Sequence, residues 1–208
     1  MSEVTLLPWS VVVIGRWNSS ILTPANIAQK LLELPENEQI HVEIPINVAA
    51  PPRIRRNGVA ISVDEHQLFI EVDRGNYDAL AVALNAAAKA VEWLHHTPLQ
   101  AAGVTVTFSI PDVTQDAPTG TNKKWDDSLA EGCYTISRHI AGRAIQWEDN
   151  RILVVADRGE DASSMVIVNF ERRSDKKDEL KKLLERPVTE FKKHIDAMLA
   201  HLKSGGVS

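Results

Sequence analysis

The 208-residue chain has a single cysteine, Cys133, and therefore no internal disulfide and no cysteine-based zinc site. One thiol is typical of a protein from a reducing compartment. Residues 132–136 have the pattern of a strand start. We therefore expect Cys133 to be a buried structural residue rather than a nucleophile.

Long apolar runs are also missing. The longest aliphatic run near the N-terminus, residues 11–14, is far shorter than the roughly 20 residues of a membrane-spanning helix. The first ten residues lack the basic and apolar regions of a signal peptide. An apolar content of 44% with a net charge of −5 predicts a folded cytoplasmic protein without membrane association or general affinity for polyanions.

Motifs of catalysis and cofactor binding are absent as well. The sequence has no Gly-rich phosphate loop, no nucleophile elbow and no histidine pair at metalloprotease spacing. His95 and His96 are adjacent, and adjacent helical residues face different directions. These absences favour a non-enzymatic protein with no catalytic residues, no metal and no cofactor.

Alternation of apolar and polar residues predicts strands with one buried face. In the first half, residues 40–46 and 104–110 alternate in this way, and strands are also expected at residues 59–63 and 68–72. The apolar, β-branched run at residues 11–17 predicts a buried strand. In the second half, they are expected near residues 133–140, 143–147, 152–156 and 165–170. Residues 49–56 contain two adjacent prolines and are expected to form a loop.

Helices are predicted in three regions. Thr23 is a candidate N-cap, with Pro24 at the first helical position. An apolar stripe marks residues 76–94, and a second stripe runs through residues 180–202. Pro187 should kink or split the second helix.

The chain divides into two α+β halves, residues 1–111 and 132–208, on either side of a polar linker or mobile loop at residues 112–131. Residues 60–75 align without gaps with residues 144–159, and both segments begin with Ala-Ile and end with Asp-Arg-Gly. This favours duplicated β-α-β(3–4)-α halves, although any two antiparallel hairpins share such features. We predict an α+β fold of mainly antiparallel sheets covered by long helices.

Arg16, Trp17 and Asn18 form a candidate site for a partner or an anion. They follow a predicted strand and precede a helix start, where free amide groups attract anions. The alternative is a capped helix against which Trp17 is merely packed.

Arg53, Arg55 and Arg56 form the densest basic cluster without interleaved acidic residues. They precede an Asn-Gly turn and are expected on a protruding loop, where guanidinium groups suit phosphate or carboxylate. The alternative is a solvated loop without a partner.

Two short stretches carry a resemblance. Arg16-Trp17-Asn18 with Leu22-Thr23-Pro24, and His96-Thr97-Pro98 with the following Ala102-Gly103-Val104, resemble uncharacterised bacterial proteins of sporadic distribution. The resemblance covers about the first 110 residues. It implies no activity and no site residue.

The leading hypothesis is a binding, assembly or accessory protein that acts through sheet edges and the Arg53–Arg56 loop. An unpaired outer strand readily adds a strand from another chain, so we expect a protein partner or self-association. Two alternatives remain open. One is a nucleic-acid-binding module that uses the basic loop, and the other is a small-molecule-binding protein or enzyme with a pocket between sheet and helices, near Trp17 and Trp93.

Overall fold

The computed structural model describes residues 4–36, 38–46, 51–111, 139–158 and 163–203 of the chain. Over these ranges the fold is α+β, with one antiparallel sheet of ten strands and four helices. This confirms the predicted class of fold. The predicted linker at residues 112–131 lies outside the described residues, as does Cys133.

The ten strands belong to one sheet. They are β1 (Thr5–Leu6), β2 (Trp9–Gly15), β3 (His41–Glu43), β4 (Arg53–Arg56), β5 (Val59–Val63), β6 (Gln67–Val72), β7 (Leu99–Pro111), β8 (His139–Trp147), β9 (Asn150–Arg158) and β10 (Ser163–Arg173). Their order across the sheet is β3-β4-β5-β6-β2-β7-β10-β9-β8, and β1 also pairs with β7. Every described pair is antiparallel.

The four described helices lie in the regions that the sequence signals predict. They are α1 (Pro24–Asn26), which continues as a π-helical turn at Ile27–Leu31, α2 (Tyr77–Trp93), α3 (Lys177–Leu184) and α4 (Val188–Lys203). The Thr23 hydroxyl oxygen accepts a hydrogen bond from the Asn26 amide, as an N-cap does. Pro187 lies between α3 and α4 and confirms the predicted split, because proline has no N–H for a helical hydrogen bond.

Strands β7 and β10 join the two halves of the chain. They pair without interruption from Pro111 opposite Ser163 to Ala101 opposite Arg173. The other edge of β7 pairs with β2 and β1. Strands from both predicted halves therefore belong to one sheet.

The core lies between this sheet and the helices. Every second residue of β7 is buried from Ala102 to Ile110, and Val166, Val168 and Phe170 of β10 continue this inner face. Helix α2 contacts β2, β5 and β6, whereas α3 contacts β7 and β10. Burial of one large apolar side chain such as Phe170 stabilises the fold by about 1.5–3 kcal/mol.

The structure corrects two of the sequence expectations. The expected loop at residues 49–56 ends in strand β4, because Ile54 is buried in the core and the flanking arginines point to the opposite face of the sheet. The two strands expected near residues 133–140 and 143–147 are, over the described part, one strand, β8. Gly142 does not interrupt that strand, because its pairing with β9 continues through it.

The two aligned segments of the sequence both form hairpins, β5–β6 and β8–β9. The hairpins differ at the turn, since Val63 pairs with Leu68 whereas Trp147 pairs with Asn150. They also differ in the element that comes next along the chain, because β6 leads into α2 and β9 leads into β10. Duplication of the two halves therefore stays a prediction.

Gly75 lies in the turn between β6 and α2, where only glycine fits. Its φ is +46°, in the left-handed region that disfavours side chains. A Cβ atom at this position would lie 2.7 Å from the Leu6 Cβ and 2.9 Å from the Leu7 carbonyl oxygen.

We expect Gly75→Ala to lower the free energy of unfolding by roughly 2–4 kcal/mol in urea titrations.

Gly58 provides the matched control. Its φ is +75°, but the nearest atom to an added Cβ is the Ala79 Cβ at 3.3 Å. We expect Gly58→Ala to cost about 1 kcal/mol, from backbone strain alone. Equal losses for the two variants would contradict the close packing of the N-terminal segment against this turn.

Candidate functional site

Strand β8 forms one outer edge of the sheet. Within the described residues its only strand neighbour is β9, with which it pairs from His139 to Trp147 without a shift of register. The backbone groups of β8 that point away from β9 have no strand partner in this part of the chain. Such a row of N–H and C=O groups is a template for a further strand.

The side chains of β8 do not protect this edge. Residues 142–146 are all exposed, and the exposed fractions of Ile140 and Ile145 are 62% and 42%. The strand contains no lysine and no proline, and its one permanent charge is Arg143. Lysine, proline and bulges are the features that usually block the addition of a strand.

The opposite edge of the sheet has several of these protections. Strand β3 is only three residues long, and Pro45 follows it closely. Its Glu43 carboxylate accepts a hydrogen bond of 2.9 Å from the Arg55 Nε atom on the neighbouring strand. A short, charged outer strand next to a proline resists edge pairing. Of the two strands at the ends of the described sheet order, β8 is therefore the more open to a partner.

The predicted basic loop is not a free cluster of cations. Its arginines lie on β4 and form ion pairs with four carboxylates, namely Arg53 with Glu71, Arg55 with Glu43 and Asp73, and Arg56 with Glu38. The expectation of a protruding loop was wrong, because these residues form strand β4 between β3 and β5, with Ile54 buried in the core. The hydrogen bond from Arg55 holds the pKa of Glu43 below its ordinary value.

Arg16, Trp17 and Asn18 line a cavity of about 590 Å³ together with Ser19 and Ser20, which follow them in the chain. Glu65 and His66 line it as well, and sequence reasoning missed these two. The Gly15 amide donates to the His66 carbonyl oxygen at 2.9 Å, and the Trp17 amide donates to the Glu65 carbonyl oxygen at 3.1 Å. These bonds hold residues 16–20 beside the β5–β6 turn. We call this cavity the Arg16 groove.

The three predicted residues have different surroundings in the Arg16 groove. The Trp17 ring is buried, and its Nε1 atom donates to the Val13 carbonyl oxygen at 3.0 Å, so this residue is packed as the alternative interpretation predicted. The Asn18 side-chain oxygen accepts a bond of 3.0 Å from the Ser20 amide. Arg16 is exposed, and no described residue forms an ion pair with it.

A second cavity, of about 410 Å³, lies between α2 and the connection from α3 to α4. Leu84 and Ala88 line one side of it, and residues 184–188 line the other. It lies between helices rather than between the sheet and the helices. Of the two tryptophans near which a pocket was predicted, Trp17 lines the Arg16 groove and Trp93 lines neither cavity.

Metal sites and membrane spans are not found in the described ranges. There, no three His, Cys, Asp or Glu side chains are grouped to hold a metal ion. No helix in the same ranges has the length and apolar character needed to cross a membrane. Comparison with protein-family models, curated proteins and solved structures finds no match to this chain.

The ion pairs of Arg55 give a testable prediction. We expect Arg55→Gln to raise the pKa of Glu43 towards its ordinary value of 4.5, because the variant removes the guanidinium that stabilises the carboxylate. A carboxyl group whose pKa is lower in the folded than in the unfolded protein stabilises the fold when the pH is above the pKa of the unfolded state. This stabilisation is lost as the pH falls through the pKa of the folded state. The variant should therefore unfold at a lower temperature than wild type at pH 7, with a smaller difference in acid. NMR titration and thermal unfolding measure the two effects.

Arg74→Gln is the control for this experiment. Arg74 is exposed, and the described residues include no ion-pair partner for it. The control should leave both the Glu43 titration and the unfolding temperature unchanged. An unaltered Glu43 titration in Arg55→Gln would show that the ion pair does not persist in solution.

Proposed function

We propose that the protein is a non-enzymatic assembly protein, in which β8 pairs with β8 of a second copy. The observation that carries this proposal is a nine-residue strand with one described neighbour, a single permanent charge and exposed residues at positions 140 and 142–146. A strand added to such an edge is held by backbone hydrogen bonds and selected by its side chains. Self-pairing needs no second protein and gives a closed dimer by two-fold symmetry.

The sequence of β8 restricts how two copies pair. A two-fold axis at Arg143 would place two guanidinium groups directly opposite each other, which is unfavourable. An axis at Ala144 or at Gly142 avoids this contact. In these two registers Ala144 faces either Ala144 or Ile140 of the other copy. Small and apolar residues therefore meet at the centre of the proposed interface.

The expected affinity follows from the length of the strand. About seven backbone hydrogen bonds at about 1 kcal/mol each are similar in size to the free-energy cost of association. Burial of the exposed Ile140 and Ile145 side chains adds a favourable contribution. We therefore expect a weak dimer, with a dissociation constant between roughly 10 μM and 1 mM, rather than an obligate one.

Two broader interpretations accompany the proposal. The single cysteine supports a cytoplasmic protein. The two aligned segments both form hairpins, β5–β6 and β8–β9, and this supports duplication of the two halves. Nucleic-acid binding has less support, because the arginines of β4 are neutralised by carboxylates.

Ala144→Lys tests the proposed interface. The variant places a charge at the centre of the pairing strands while leaving the core-facing residues unchanged. Light scattering after size exclusion should show the wild-type mass rising with concentration from 23.0 kDa towards twice that value. The variant should stay at the mass of the monomer at every concentration.

Ala197→Lys is the matched control, since Ala197 is an exposed residue of α4. It adds the same charge away from β8 and should associate as wild type does. A wild-type protein that remains monomeric at millimolar concentration would refute the proposal. So would equal association of the two lysine variants.

A further inference from the structure

The Arg16 groove contains two opposite charges that do not neutralise each other. Arg16 and Glu65 both line it, both are exposed, and no described residue forms an ion pair with either. On β4, by contrast, each arginine forms an ion pair, as Arg53 does with Glu71. An unpaired cation and an unpaired anion thus border the same cavity.

A simple anion is a poor ligand for this groove. Glu65 lines the cavity, and the neighbouring Asp64 carboxylate caps the same turn by accepting from the His66 and Gln67 amides at 2.7 and 2.9 Å. These two acids outnumber the single guanidinium, so the local charge does not favour a lone carboxylate or phosphate. An anionic group that binds at Arg16 should therefore belong to a ligand that also carries a positive charge.

The other lining residues are suited to a small polar ligand. The Asn18 oxygen is occupied by the Ser20 amide, which leaves the side-chain NH₂ group as a donor. The exposed Ser19 and Ser20 hydroxyl groups are both donors and acceptors. A volume of about 590 Å³ lies within the range of small-molecule sites.

The backbone around the groove is held in place before any ligand binds. The Arg16 amide donates to the Pro98 carbonyl oxygen at 2.9 Å, and the Trp17 amide donates to the Glu65 carbonyl oxygen at 3.1 Å. The buried Trp17 ring anchors the same segment to β2. Fixed backbone positions lower the entropic cost of binding.

We propose that the Arg16 groove binds a small zwitterion of the α-amino-acid class. The carboxylate group of the ligand is held by the Arg16 guanidinium and the Asn18 amide, and its ammonium group by the Glu65 carboxylate. Arginine provides paired donors for a carboxylate, and a glutamate accepts from an ammonium group. This site is separate from β8 and does not depend on dimer formation.

The test uses the twenty common L-amino acids as probes, with acetate and ethylammonium as ligands that carry one charge each. Binding is followed by NMR shifts of the Asn18 and His66 amides and quantified by calorimetry. At least one amino acid should bind, and each single-charge probe should bind about tenfold more weakly or worse. Arg16→Gln and Glu65→Gln should each lower the affinity for that amino acid by about tenfold or more.

Arg74→Gln is the control variant. Glu65 precedes β6 and Arg74 comes after its end, so the two residues lie at opposite ends of that strand, and Arg74 does not line the groove. It should bind the amino acid as wild type does. Thermal unfolding of every variant establishes that the fold is retained. No amide shift with any amino acid at millimolar concentration would overturn the proposal. Binding of acetate as tightly as the amino acid, or an unaffected Glu65→Gln, would overturn it as well.

Discussion

The pairing of β7 with β10 is the contact on which the rest of the structure depends. It joins the last strand of the first half to the last strand of the second half over the whole length from Ser163 to Arg173. It also aligns the buried residues of both strands into one inner face for the helices to contact. Because β7 and β10 lie next to each other inside the sheet, the order of the described strands ends at β3 on one side and at β8 on the other.

The strands and helices that the sequence predicted well are those whose signals are local. An apolar, β-branched run marked β2, and alternation marked β7. The Thr23 cap marked the start of α1, and the apolar stripe at residues 76–94 marked α2. Strand β4 was missed because its only fully buried residue is Ile54, so its pattern is too short to recognise. The order of strands was not predictable, because it rests on pairings between residues far apart in the chain.

In the candidate sites, too, the sequence predicted the features that are local in the chain and missed those that depend on tertiary structure. The sequence located Arg16–Asn18, but Glu65 and His66 come from a different hairpin and reach the groove only through tertiary structure. It showed the density of positive charge on β4 but not the carboxylates that neutralise it. The scarcity of charge in β8 was visible, whereas its position at the outer edge followed only from the sheet.

Amide hydrogen exchange in β8, measured at low and high protein concentration, tests the central claim that this strand pairs with a second copy. The account predicts slow exchange in β8 at high concentration and faster exchange there on dilution. Exchange in β7 and β10 should not change with concentration, since both strands lie inside the sheet. Exchange in β8 that is fast at both concentrations, on the side away from β9, would contradict the account.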